Sequence, residues 1–366
     1  MLAITRIGMV SSLGHGAVAS CAASRAGILR ISMLEECSVW DSESGRSEPA
    51  RGHVVPWVAG GFVDLGKRVA LAAEALSELN PEKSLADSAR SAFYLATSND
   101  FHRQLLEQQG LLPAEYADRR AGYTQQLLPT LFKAVGLKSP PRIQHVRFGE
   151  AGFIQILQEA TRQLESGAVD RCIIGGVDSF VEPQVTWALN SLRLLKTPSN
   201  PVGVLPGEAA AFAVLEPLSA AARRGAHIEA LLEAPTLQAE PFHRRAGKPP
   251  LGRALTQCIL ATLETLEDRG AHTGLVIGAL NGDAYRAQDW GYALVQLRRL
   301  QGLPEWYPAA SFGELGAASG PVGLCMAIRG FARGYSKTDN VLVWTLGDDG
   351  SRGSFYLRSP KTLTSR

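Results

Sequence analysis

Five cysteines, Cys21, Cys37, Cys172, Cys258 and Cys325, are the residues of this chain best equipped for nucleophilic or metal chemistry. Their number is odd, they are widely scattered and no two stand in a CxxC spacing, so neither a disulfide framework nor a zinc site is indicated. A reducing cytoplasm suits such cysteines best. Cys21 closes Val18-Ala19-Ser20-Cys21, which resembles a lipoprotein cleavage box with Arg6 upstream. The intervening Ser11, Ser12, Gly14, His15 and Gly16 are too polar for a signal-peptide core. A second concentration of chemistry is Asp283, Tyr285, Arg286 and Trp290, a polar and aromatic patch just after Asn281. It reads either as a loop held by an Asp–Arg pair or as a partner-docking surface. His145, two residues before Arg147, is expected to pack or to lie in an interface. In Gly347-Asp348-Asp349-Gly350 the two acids favour a turn, because they would oppose a bound phosphate.

These residues sit in a chain of 366, more than one compact core accommodates, so two domains or two fused halves are expected. Hydrophobic residues make up 45% and charged residues 20%, an ordinary globular balance. With a net charge of +2 and no Lys/Arg-dense stretch, neither a nucleic-acid nor an anionic-membrane surface is expected. Arg223-Arg224 and His243-Arg244-Arg245 read as solvated loops or helix ends. No apolar run approaches the roughly 20 residues that span a bilayer. A soluble, cytoplasmic protein is the expectation.

The elements that position the chemistry follow from periodicity. Ala3 to Val10 reads as a strand, residues 37–62 as a surface excursion with a short hairpin, and 64–79 and 120–136 as helices around a strand near Ser91–Thr97. The clearest unit is a strand from Ile143 to Phe148 and a helix with a stripe of Phe153, Ile154, Leu157, Ala160 and Leu164. Ser166-Gly167 stops that helix, and a buried strand through Cys172 to Val177 follows. Such a strand–helix–strand crossover calls for a mostly parallel sheet. A strand at Gly274–Leu280, a helix around Gln288–Leu300, a turn at Ser311–Gly320 opening a helix through Arg329, and strands at Val341–Leu346 and Ser354–Leu357 repeat the alternation. Two α/β halves, 1–217 and 218–366, are the expected organisation.

Several segments, in order, resemble the 3-oxoacyl-acyl-carrier-protein synthases (beta-ketoacyl synthases) of the thiolase-like superfamily. Ile4 to Gly14 is similar to their first strand and turn, and Glu165-Ser166-Gly167-Ala168-Val169-Asp170 with Gly175-Gly176-Val177-Asp178-Ser179 to the strand after their nucleophile helix. Gly207-Glu208 to Leu215-Glu216 resembles the strand ending their first half, and Ala220 to Ile228 the linker helix. Gly313-Glu314-Leu315-Gly316-Ala317-Ala318-Ser319-Gly320 resembles their last catalytic loop. The resemblance spans nearly the whole chain. It implies a thiolase-like α/β fold, five αβαβα layers built from two related halves with two buried central helices. It also implies a dimer paired along a strand beside the active site.

The resemblance further implies a cysteine at the start of the central helix, where helix-terminal N–H groups lower a thiol pKa. Seventeen positions before Gly167, the corresponding residue is Glu150. The first family histidine opens a turn with an Asp eight residues on; here Asn281 stands eight before Asp289. The alternative register, through Asp283, puts Leu275 there. The second histidine corresponds to Glu314 after Gly313, and the family lysine five residues earlier to Ala309. The set is therefore Glu150, Asn281, Glu314 and Ala309 where the family has Cys, His, His and Lys.

A carboxylate is a poor acyl acceptor, and acids repel an enolate, so condensation and simple decarboxylation are not expected. A catalytically degenerate, non-condensing binding or scaffold subunit is the leading expectation. It would form a homodimer or pair with a related active synthase, with acyl-carrier protein or acyl-CoA as further candidate partners and no cofactor. If Glu150 and Glu314 converge and share a proton, a divergent acyl-processing enzyme with an acid/base pair is the alternative. A third is an accessory or adaptor protein of a type VI secretion effector locus, from the Asn281-Gly282-Asp283…Tyr285-Arg286…Trp290 stretch. Phe148, Phe153 or Phe312 plugging the approach to Glu150 would count against an enzyme.

Overall fold

The computed structural model describes residues 1–41, 45–85, 88–99, 101–110, 123–266 and 272–363. The strands are β1 (Leu2–Ser11), β2 (Gly14–His15), β3 (Ser32–Asp41), β4 (Arg46–Gly52), β5 (Ser91–Thr97), β6 (Ile143–Phe148), β7 (Arg171–Ser179), β8 (Glu208–Pro217), β9 (Ala230–Ala239), β10 (Leu275–Ile277), β11 (Glu305–Trp306), β12 (Asn340–Leu346) and β13 (Ser351–Arg358). All but the β3–β4 hairpin belong to one eleven-stranded mixed sheet, in the order β11-β10-β12-β13-β9-β1-β8-β7-β5-β6 with β2 beside β1.

That order contains a repeat. In the first half β1 and β8, then β8 and β7, pair antiparallel, while β7–β5 and β5–β6 are parallel. In the second, β9–β13 and β13–β12 are antiparallel, while β12–β10 and β10–β11 are parallel. The chain thus lays down two five-stranded units of identical topology. Among the described residues their strands pair only where Leu2–Ile4 of β1 meets Ala230–Leu232 of β9.

Helices Gly149–Glu165 and Ser319–Arg333 lie between the two units, touching strands of both. Ser319–Arg333 is buried along almost its whole length, as a helix apolar on every face must be. Asp64–Ser77 and Tyr123–Ala134 cover the outer face of the first unit, and Arg253–Thr265 and Ala284–Gln296 that of the second. Five layers result, alternating helix and strand. The part of the helical pattern at 120–122 lies outside the described residues.

Two local devices set up the site. Gly149 starts its helix at φ +69°, and a side chain there would meet the Asn99 amide. The Gly176 backbone of β7 approaches Ala317 so closely that a Cβ would stand 2.5 Å from the Ala317 carbonyl oxygen, which brings the 313–318 loop against the sheet. The Ser166-Gly167 stop is formed, with Gly167 N–H donating to Leu164 and Ala168 N–H to Gln163.

Candidate functional site

Glu150, Asn281, Glu314 and Ala309 are brought together around Arg286, which the sequence reading assigned to the polar patch just after Asn281. Glu150 occupies the first turn of its helix and is buried. Glu314 lies between the helix Pro308–Phe312 and the turn at Gly316, whose N–H donates to its Oε1 at 2.7 Å. Asn281 ends the loop after β10; its amide donates to Glu314 Oε2 and its carbonyl accepts the Asp283 N–H at 3.1 Å.

Between the two glutamates stands Arg286, 2% exposed. Its Nη2 donates to Glu150 Oε1 at 2.8 Å, and its Nη1 lies 3.2 Å from Glu314 Oε2 and 3.3 Å from the Ala279 carbonyl. Its Nε faces Asp348 Oδ1 at 3.6 Å. The Glu150–Glu314 shared-proton arrangement is not formed: among the described residues each carboxylate bonds the guanidinium, and neither bonds the other. The Asp–Arg pairing expected within 283–290 is replaced by others. Asp283 caps the helix through the Tyr285 N–H and pairs with Arg244, and Asp289 pairs with Arg352 at 2.6 Å. Neither is the patch an exposed docking surface, since Asp283, Arg286, Asp289 and Trp290 are all buried.

The helix Ala284–Gln296 begins one turn earlier than its apolar pattern suggests. Arg286, Asp289, Trp290 and Ala293 then fall at helical spacing on one inward face. That stripe was the available signal for Arg286. Arg244 likewise departs from the solvated reading: mostly buried, it pairs with Asp283 and approaches Asp348 at 3.6 Å. The side chain of Arg245 lies outside the described residues. Arg224 is half exposed and closes on the buried Glu216 at 2.5 Å.

The electrostatics follow from four acids (Glu150, Glu314, Asp348, Asp283) facing two guanidiniums (Arg286, Arg244). Burial works against the Arg286 charge, but Glu314, Asp348, Glu150 and Asp283 more than offset it. Burial likewise opposes the Asp348 charge, and Arg286, Arg244 and His102 overcome it, holding that carboxyl well below the usual range. Glu150 takes up the surplus. Burial pushes its carboxyl up to about 8 against the pull of Arg286, with Glu314, Asp348 and Asp349 adding to the rise.

Over Glu150 opens a cavity of about 80 Å³, lined by Phe101, His102, Phe180, Trp187, Glu150 and Asp348 among others, with the exposed Gln184 at its rim. His102 Nε2 lies 3.3 Å from Asp348 Oδ2, its ring edge-on to Phe101 and Phe180. Sequence reasoning passed over His102, whose signal was its place just beyond the carboxyl end of a parallel strand, where open α/β sheets put their ligands. The phenylalanines whose plugging of the approach would have counted against an enzyme do not line this cavity: Phe153 and Phe312 are buried in the core, and Phe148 is 43% exposed. On the other side of Arg286, the space among Asn281, Ala309 and Glu314 is only about 10 Å³. That is room for no more than about one water.

No sulfur serves this site. All five cysteines are buried, and burial raises the thiol pKa of each, Cys21 to about 12. The backbone donors nearby are also engaged, Gly316 N–H by Glu314 and Ala317 N–H by Asp178 at 3.1 Å. His145, on β6, stacks on Tyr94 with ring centroids 5.7 Å apart.

The fold matches known structures over nearly the whole chain. A structure of a type II PKS acyl-carrier protein in complex with its ketosynthase bound to the hexaketide superposes with a TM-score of 0.76 at 16% identity, covering 98% of this chain and 99% of that one. The chain has the thiolase-like fold of the ketosynthases. The ishigamide ketosynthase/chain length factor gives a TM-score of 0.73 at 18% identity, covering 98% of both chains. The oxazolomycin ketosynthase domain of Streptomyces albus gives 0.73 at 14% identity, covering 98% of this chain and 74% of the other. No family model and no curated protein matches the sequence. No described helix is long and apolar enough to cross a membrane.

Proposed function

We propose that this chain is a non-condensing ketosynthase-like subunit, with halves meeting at 217/218, that pairs with a second thiolase-like chain. The carrying observation is Arg286, buried between Glu150 and Glu314 at 2.8 and 3.2 Å. A condensing site needs a thiolate at the helix start and neutral donors aimed at a developing oxyanion. Here the helix start carries a carboxyl tied to a guanidinium, and the space among Asn281, Ala309 and Glu314 has room for no more than about one water. The neighbouring acids oppose an enolate rather than stabilise it.

Pairing is supported by β6. Among the described residues it bonds only β5, leaving an open edge at one end of the eleven-stranded sheet, with Phe148 exposed at its tip. Such an edge invites a further strand. The similarity to a ketosynthase/chain length factor structure suggests the partner's kind, either a second copy or a related synthase. An acid/base role for Glu150 and Glu314 has less support, because Arg286 separates them.

The test is decarboxylation and condensation with malonyl-acyl-carrier protein and an acyl-primed carrier, assayed with the chain alone. Neither carbon dioxide release nor a 3-oxo product above background is expected. Turnover that Glu150→Ala abolishes would overturn the proposal.

A further inference from the structure

The cavity over Glu150 has walls and floor of opposite character. Phe101, Leu106, Phe180, Val185, Trp187 and Ala188 make its walls apolar and largely aromatic. Its floor presents Glu150 and Asp348, both buried and both incompletely satisfied. Arg286 takes one Glu150 oxygen, and among the described residues no bond is made to the other. Asp348 Oδ1 accepts no hydrogen bond, its nearest guanidinium nitrogens standing 3.6 Å away.

The cations around this floor are already committed. Arg286 and Arg244 face Glu150, Glu314, Asp348 and Asp283, and His102 Nε2 stands 3.3 Å from Asp348 Oδ2, so four acids face three basic groups. Arg103 at the wall lies 3.7 Å from Glu107. Burial, reinforced by Glu314, Asp348 and Asp349, keeps a proton on Glu150, as a site short of positive charge would. An anionic head entering here would meet two carboxyl groups. A cationic head would supply the missing charge and, at the aromatic rings, gain a cation–π attraction.

We propose that this cavity binds a small ligand with an ammonium-type head and a short apolar or aromatic body, the head seated between Glu150 and Asp348. Its volume of about 80 Å³ accommodates roughly five to eight heavy atoms, since one water-sized sphere takes about 10–15 Å³ by the same measure. The proposal concerns the same cavity as the non-condensing function but does not depend on it. Acyl loading followed by mass tests that function separately.

The probes are benzylamine and n-pentylamine, against benzyl alcohol and benzoate, by titration calorimetry on the full chain. Both amines are expected to bind at one site, with the alcohol at least tenfold weaker and benzoate silent. Glu150→Gln is expected to weaken benzylamine at least tenfold, and Ala188→Phe, which fills the wall without touching a charge, to abolish its binding. Folding of each variant is verified by circular dichroism, and Asp348→Asn replaces Glu150→Gln if the latter misfolds. Benzoate or benzyl alcohol binding as well as benzylamine would overturn the proposal. So would benzylamine binding that survives both substitutions, or no binding of either amine.

Discussion

Replacing Arg286 with Met removes the charge that holds the two glutamates apart while keeping most of the side-chain volume. At an effective dielectric of about 20, the 3.2 Å contact with Glu314 is worth about 5 kcal/mol of attraction, and the 2.8 Å contact with Glu150 about 6 kcal/mol once that carboxyl is ionised. Desolvating the three buried charges costs several kcal/mol per ion and cancels much of that. What the substitution exposes is the imbalance left behind, Glu150, Glu314 and Asp348 facing one another in a closed site. A loss of about 3–5 kcal/mol is therefore expected for Arg286→Met. The loss is larger at about pH 9 than at about pH 6: without the pull of Arg286 the Glu150 pKa lies above its parent value of about 8, so the variant goes on losing stability above that pH, where the parent no longer does. Equilibrium urea denaturation at the two pH values measures it. Adding Glu150→Gln and Glu314→Gln to Arg286→Met is expected to recover at least half of the loss. Arg286→Met within about 1 kcal/mol of the parent at both pH values, or a triple variant weaker than the single one, would refute the reasoning.

Glu150 also gives a pH signature of its own. Its folded pKa of about 8 exceeds the ordinary 4.5, so the folded state keeps a proton that the unfolded state releases, and stability falls as pH rises from about 4.5 to about 8. Glu150→Gln is expected to flatten that fall; Asp348, held below its ordinary 3.8, acts only at lower pH. At the open edge, Phe148→Asp is expected to weaken subunit pairing at least tenfold by light scattering, the ~1.5–3 kcal/mol of burying a phenylalanine, without lowering the thermal midpoint of the monomer. Gly149→Ala, forced to keep φ near +69°, is expected to cost about 1–2 kcal/mol in the same urea assay.

The strands and helices were legible because their signals are local and periodic; their stacking in five layers followed only from the family resemblance. The β6–helix–β7 crossover, the Ser166-Gly167 stop and the Gly313–Gly320 loop all lie where composition and spacing indicate. The candidate site positions came from the family resemblance. Glu150, Asn281, Glu314 and Ala309 could be assigned in order along the chain, but which acid meets which arginine is a property of three dimensions. Arg286 lies close to Asp283 and Asp289 in sequence, yet it turns to Glu150, 136 residues away. Asp283 instead finds Arg244, and Asp289 finds Arg352. Long-range charge pairing has no periodicity to read, and His102 had no neighbouring motif to draw attention to it. The helix start at Ala284 was the one local clue, since it puts Arg286 on the buried stripe.

The central claim is that residue 150 accepts no acyl group. Intact-mass measurement of the chain after incubation with acyl-CoA and with acyl-carrier protein thioesters tests it most directly. An unchanged mass is predicted, in the parent chain and in Glu150→Ala alike. An acyl adduct on the parent that maps to Glu150 and vanishes in Glu150→Ala would contradict it.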